Sequence, residues 1–501
     1  MTVCLRKTLK ILEMCHLCGT NILEEKRNIK IFTTIDIVIL NHDHYNETEI
    51  CSFLREQAAS MCEECERNVG MKILGLDIGT TTISAVVVEE GNVLSSLTLK
   101  NGSFIDTGKP WEKIQDPAYI RDTALQAVRE LLEKHPDVAR IGITGQMHGI
   151  VYLNAAGEPV SPLYTWQDGR GDQKTESGET YAAALNRITG YAVATGYGLV
   201  THYYNLKNGL VPECAVVFST IHDYIAMLLA GLTTPVTEAS DAASFGLFDV
   251  EKGCFDLAAL EKAGIPANLL PAVAEQPCIG HHQGKIPAYV AIGDNQASFL
   301  GATGGKTDAM LINVGTGSQF SAYTPRYMAC PGLETRPFPG GGYLLVGASL
   351  CGGRAYALLE SFLRETAKAM TGTAPDSCYD AMAALLAQGR PEDVPVVTPL
   401  FQGTRQDPTL RGSITGLSTE NLTPRHLVYA MLEGMTDELY TMYRSYRHAG
   451  GEDAALIGSG NGLRKNIHLQ NCFSQAFGQT LVMSECNEEA ATGAALFAAA
   501  N

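Results

Sequence analysis

Two short segments of this chain have the makings of phosphate-binding loops: Asp77-Ile78-Gly79-Thr80-Thr81 and, 236 residues later, Asn313-Val314-Gly315-Thr316-Gly317. Each closes an apolar run that reads as a buried strand. Gly79, Gly315 and Gly317 can adopt positive φ, so the chain can turn sharply after the strand and aim backbone N–H groups at an anion. Thr80, Thr81 and Thr316 add hydroxyl donors. Asp77 would repel a phosphate, so it reads as the acceptor for Mg²⁺ or its waters beside the phosphates. The equivalent residue of the second loop is Asn313, which leaves the cation to one half only. A single Gly-Thr turn is common in hairpins, but the matched pair points to a duplicated domain that grips a nucleotide from both sides.

The elements around the first loop are legible. Residues 72–78, 83–88 and 93–99 read as three strands, with Glu89-Glu90-Gly91-Asn92 as the turn between the last two. A helix should start after Asp116 as N-cap with Pro117 at its first position, and Ile120, Ala124, Val128, Leu131 and Leu132 recur at helical spacing. A strand is then expected at Arg140–Thr144. The stretch after Asp308 begins the same way, with strands at Ala309–Asn313 and Gln319–Tyr323. The expected fold class is therefore α/β: two ribonuclease-H-like (actin-like ATPase) domains flanking a catalytic cleft.

A chain of 501 residues suits two or three domains, and its 45% apolar and 18% charged content is ordinary for a globular protein. The net charge of −17 argues against nucleic acid or an anionic membrane surface as the main partner. No run of about 18 uncharged apolar residues predicts a membrane span. The 14 cysteines are uneven: six lie in the first 70 residues, including Cys15-His16-Leu17-Cys18 and Cys62-Glu63-Glu64-Cys65, and the rest are scattered, as in a reduced cytoplasm. Residues 1–70 look foreign to the remainder of the chain. They read as an upstream extension of the reading frame before a start at Met71, or as a small accessory module with a zinc site at the two C-x₂-C pairs, or as disorder. The remaining boundaries are expected at 71–302 for a domain binding acceptor and phosphate and 303–501 for a domain binding nucleotide.

From Met71 to the C-terminus, about 430 residues, the chain resembles the FGGY carbohydrate kinases of the actin-like and sugar-kinase superfamily, and within them the sedoheptulokinases. The resemblance rests on an ordered set: DIGTTTISAVV at 77–87, TGQMHGIVYL at 144–153, TWQDGR at 165–170, ATGYG at 194–198, TIHDY at 220–224, SDAASFGLFD at 240–249, GDNQAS at 293–298, NVGTGSQ at 313–319, GSGNGLRKN at 458–466 and EEAATGAAL at 488–496. It implies an ATP- and Mg²⁺-dependent kinase acting on a small ketose. It leaves a homodimer open as the assembly.

The resemblance makes Asp294, after a strand expected at Ala288–Ile292, the catalytic base: a carboxylate that takes the proton of a sugar hydroxyl as its bond to phosphorus forms. A turn or N-cap aspartate is the alternative. Asn295 and Gln296 would orient the base or the sugar. Gln146, Met147 and His148 form one candidate sugar-binding group, the Met-His pair being a ketose contact in related kinases, and Trp166, Gln167, Asp168 and Arg170 form another. Met147 and Trp166 offer apolar surface to C–H faces, while His148, Asp168 and Arg170 offer polar groups to hydroxyls. Asp168 and Arg170 also read as an internal ion pair, and His148 as a satisfied core histidine. Gly458, Gly460 and Asn461, expected in a loop after a strand at Ala454–Ile457, match the family's adenosine motif, and Gly352 and Gly353 are candidates for the phosphate channel.

Xylulokinases share the Gln-Met-His-Gly pattern but typically carry a Pro-Lys pair shortly after their Thr-Gly segment, absent here. The resemblance therefore implies sedoheptulose phosphorylated to sedoheptulose 7-phosphate. Alternatives are another ketose or polyol kinase, a non-enzymatic actin-like ATPase sensor, and an inactive scaffold organised by the N-terminal cysteines.

Overall fold

The computed structural model describes residues 70–404, 407 and 409–501. Both C-x₂-C pairs lie outside the described residues.

The chain opens as a meander. Strands β1 (Lys72–Ile78), β2 (Thr82–Glu89) and β3 (Asn92–Lys100) pair antiparallel in sequence order. Helix α1 (Pro117–Lys134) comes next, and the Asp116 side chain caps it by accepting from the Ala118 N–H at 2.8 Å. Proline at the first helical position costs nothing, because that N–H has no intrahelical partner. Strand β4 (Val138–Gly145) then returns parallel to β1, setting Thr144 beside Asp77.

Among the helices that precede the far edge of this sheet are α2 (Ile221–Ala230) and the short α3 (Ala239–Ser244). The sheet is completed by β5 (Cys278–His282), β6 (Ile286–Tyr289) and β7 (Ile292–Gly293), in the order β5-β6-β4-β1-β2-β3 with β7 also pairing β4. The strand expected at Ala288–Ile292 is thus two pieces, interrupted at Val290 and Ala291. Helix α4 (Asp294–Thr303) leaves directly from β7, with Gly293 as its N-cap.

The second half repeats the plan. β8 (Ala309–Val314) pairs antiparallel with β9 (Ser318–Thr324), and the sheet extends through β10 (Glu334–Pro337) and β11 (Tyr343–Ser349). After helices α5 (Gly353–Thr371) and α6 (Pro424–His448), β12 (Ala455–Ser459) returns parallel to β8 and β13 (Val482–Met483) closes the order β10-β11-β9-β8-β12-β13. Asn313 pairs with Ser459 as Asp77 pairs with Thr144, so the two loops occupy equivalent sheet positions.

The last helix, α8 (Glu489–Ala500), numbered after the short α7 (Asn461–Arg464), crosses back onto β1 and β4 and packs along α4. Close approach requires glycine there. A Cβ on Gly75, Gly142 or Gly493 would overlap the backbone oxygens of Ala491, Ala494 and Ala297 respectively. One apolar core therefore joins both sheets, including Ile73, Val86, Phe299, Leu311, Leu344 and Phe497.

Candidate active site

The first loop sits at the mouth between β1 and β2, and its glycine works differently from expectation. Neither Gly79, Gly315 nor Gly317 has positive φ. Instead, a Cβ on Gly79 would stand 2.8 Å from the Thr82 carbonyl oxygen, and one on Gly317 would stand 2.7 Å from that of Ser349. Crowding rather than handedness excludes a side chain there. The positive φ belongs to Gly460, at +86°.

Thr80 is held in a closed ring of side chains. Its hydroxyl donates to Gln146 Oε1 (3.0 Å), Gln146 Nε2 donates to Gln115 Oε1 (2.9 Å), and Gln115 Nε2 donates back to the Thr80 carbonyl (2.9 Å). Trp166 Nε1 donates to the same threonine hydroxyl at 3.0 Å. Sequence reasoning missed Gln115, whose role depends on a pairing 35 residues distant. Thr81 is exposed at the loop tip.

Asp294 occupies the first turn of α4, with Asn295 Nδ2 donating to its Oδ1 at 2.8 Å. Burial pushes its carboxyl above the usual range, opposed by the neighbouring His222 and Arg336 side chains. Beneath it lies Met147, whose sulfur meets Asn295 Nδ2 at 3.5 Å. Gln296 is buried and its Nε2 donates to Pro337 O (2.9 Å), tying α4 to β10 of the second half. Asp77 is pushed up to about 7, chiefly by burial and then by Asp294 and Glu488. Mg²⁺, which takes oxygen ligands, would relieve the repulsion that these carboxylates exert on Asp77.

His148 adopts φ +72°, a left-handed conformation uncommon for a residue with a side chain, and it needs fixing. Its Nδ1 lies 2.7 Å from Ser244 O, and its ring stacks on Tyr197 with centroids 4.5 Å apart. Tyr197 was visible in the Ala-Thr-Gly-Tyr-Gly segment but carried no signal of this contact.

Asp168 and Arg170 are joined to each other. Asp168 Oδ2 accepts from Arg170 Nη1 (2.5 Å) and from the Lys113 N–H (3.0 Å), and Oδ1 accepts from the Arg170 N–H (3.1 Å). Arg170 also pairs with Glu112 (3.2 Å) and lies over the Tyr164 ring at 4.3 Å. Both residues are buried, and the carboxylate is saturated. The arrangement fits the ion-pair reading, a brace for the loop that carries Trp166. Gln167 lies instead beside a surface pocket formed by residues around Asp106 and Lys109.

The second half holds a cavity of about 1040 Å³ lined by Asn313, Gly315, Thr316, Gly460 and Asn461. Arg354 and Lys465 line it too, as does Tyr356, which stacks on Tyr379 at 5.9 Å. These basic and aromatic groups suit phosphates and a flat base, and the sequence signal for Arg354 was its place directly after Gly352-Gly353. The N–H groups of Gly353 and Arg354 donate to the carbonyls of Gly315 and Thr316 (both 3.0 Å), locking the loop to α5. Gly458 is inside β12, where a Cβ would press on Leu481 and Met483, so its role is packing rather than the loop.

Fold and site together define a phosphotransferase with an alcohol group as acceptor. Residues 72–308 match the N-terminal domain of the FGGY family of carbohydrate kinases and residues 310–501 its C-terminal domain, so the chain belongs to that family. It is 31% identical over 473 residues to mouse sedoheptulokinase, covering 82% of this chain and 96% of that protein. Among solved structures, the xylulose kinase of Rhodospirillum rubrum superposes with a TM-score of 0.74 at 23% identity, covering 85% of this chain and 89% of that one. The Plasmodium falciparum glycerol kinase with ADP superposes with a TM-score of 0.70 at 20% identity, covering 85% and 88%. No helix among the described residues is long and apolar enough to cross a membrane.

Proposed function

We propose that the protein transfers the γ-phosphoryl group of ATP to the terminal primary hydroxyl of a ketose, with sedoheptulose as the substrate and sedoheptulose 7-phosphate as the product. The observation that carries the reading is the position of Asp294: a half-buried carboxylate at the start of α4, flanked by Met147 and Asn295 and within the electrostatic reach of Asp77. Asp294 removes the hydroxyl proton as the oxygen attacks phosphorus. The ring through Thr80, Gln146 and Gln115 keeps the first phosphate loop rigid beside the acceptor, so the reacting groups are held without reorganisation. Asp77 would hold Mg²⁺ or its waters, and that ion would neutralise phosphate charge.

The sugar assignment is supported by the identity to the mouse sedoheptulokinase over nearly that protein's whole length. ADP release measured with five-, six- and seven-carbon ketoses and with glycerol tests it. Sedoheptulose should show the highest kcat/KM. A higher value with xylulose or glycerol would reassign the acceptor, and no release with any of them would remove the kinase reading.

A further inference from the structure

His222, Asp223 and Asp241 form a second donor cluster, placed behind the base. His222 and Asp223 open α2 and Asp241 lies in α3. All three side chains are 0% exposed. One donor atom from each, an imidazole nitrogen and two carboxylate oxygens, lies within 4.8 Å of the other two.

The unusual feature is that these atoms do not satisfy one another. His222 Nε2 and Asp241 Oδ2 are 2.9 Å apart, yet neither ring nitrogen of His222 and neither carboxylate oxygen of Asp241 has a hydrogen bond of acceptable geometry, and Asp223 has only the neutral hydroxyls of Thr220 and Thr237 to offset its burial. Buried polar atoms are nearly always paired, and buried carboxylates need a compensating charge. Two ligands set at right angles about 2.1 Å from one ion stand about 3 Å apart. The 2.9 Å contact without a directed N–H···O bond therefore fits two lone pairs aimed at a shared third point.

We propose that His222, Asp223 and Asp241 bind one divalent transition-metal ion of the zinc or manganese kind. One imidazole and two carboxylates are a mixed nitrogen–oxygen set suited to such ions, and two carboxylates balance a dication. The ion is structural and separate from the Mg²⁺ assigned to Asp77. It clasps α2 to α3, and α3 in turn steadies the base, because Ser240 Oγ accepts from the Gly293 N–H at 3.1 Å where α4 begins. The Glu238 carboxylate fixes that serine by accepting from both its N–H and its hydroxyl. The metal site is independent of which sugar is phosphorylated.

The test is elemental analysis of the full chain, produced in medium supplied with Zn²⁺ and Mn²⁺ and dialysed against EDTA without nucleotide. The wild type and Asp77→Ala should each retain about one equivalent of zinc or manganese at this site. Asp241→Asn and His222→Gln should lose that equivalent. His222→Lys, whose ammonium supplies the missing positive charge, should fold with an unchanged circular dichroism spectrum and without the metal. A metal-free wild type would overturn the proposal, showing that the carboxyl groups hold protons instead. So would retention of the wild-type metal content by His222→Lys, loss of the ion with Asp77→Ala, or loss of all metal with Cys15→Ser and Cys62→Ser.

Discussion

Trp166 Nε1 donates to Thr80 Oγ1 at 3.0 Å, joining the aromatic residue proposed to face the sugar to the hydroxyl of the loop proposed to bind phosphate. The indole is 43% exposed, so one face is available to a ligand while its polar edge is committed to the loop. Trp166→Phe keeps the apolar face and removes the donor. Loss of one hydrogen bond of about 1 kcal/mol should raise KM for both sugar and ATP by roughly 3–10-fold. Steady-state kinetics with each substrate varied checks this, and an effect on the sugar alone would uncouple the two sites.

Asp294→Asn should leave ATP affinity nearly unchanged and slow phosphoryl transfer by roughly 10²–10⁴-fold, the usual contribution of a positioned base. Nucleotide titration calorimetry and single-turnover rates separate the two effects. Near-normal turnover would remove Asp294 from the role.

Asp77 and Thr316 should fail differently. Asp77→Ala takes away the oxygen acceptor assigned to the cation and should raise the Mg²⁺ concentration needed for half-maximal rate. Thr316→Val, on the nucleotide cavity, should raise the ATP KM with little change in metal demand. Indistinguishable Mg²⁺ titrations of the two variants would contradict the division of labour between the loops.

His202 makes stability depend on pH. Burial lowers its folded pKa to about 4 from the ordinary 6.5, and Tyr152 Oη lies 2.8 Å from its Nδ1. Below pH 6.5 the unfolded chain binds a proton that the folded protein refuses. Stability from this residue is therefore full above pH 6.5 and is lost as pH falls toward 4, by up to about 3 kcal/mol. His202→Phe should flatten that part of the curve. Urea denaturation of both proteins between about pH 7 and pH 4 measures the difference, and parallel curves would dismiss the assignment.

A chain beginning at Met71 should fold and keep its kinetic constants. Met71 packs on the shared core, and β1 finds both partners, β2 and β4, downstream of it. Comparison of melting temperature and kcat/KM with the full-length protein decides. Loss of folding on truncation, with stoichiometric zinc in the longer chain that the Cys15 and Cys62 variants lose, would make residues 1–70 a structural module.

What could be read from the chain alone was local or repeated. The Asp116-Pro117 helix start depends on capping within a few residues, and the strands around Asp77 and Asn313 announce themselves by apolar runs ending in Gly-Thr. The same pattern twice identified the duplicated fold, and the ordered motifs identified the family. Side-chain partnership was decided by packing. Arg170 turned to Asp168 and Glu112 because a buried charge is stabilised most by a nearby opposite charge. Gly458 became a packing position because β13 brings Leu481 and Met483 against it. Gln115 acquired its place between Thr80 and Gln146, and α8 its place on the first sheet, only when segments far apart in sequence met. Hydrogen bonds and close contacts across such distances have no sequence period, so the tertiary structure alone determined them.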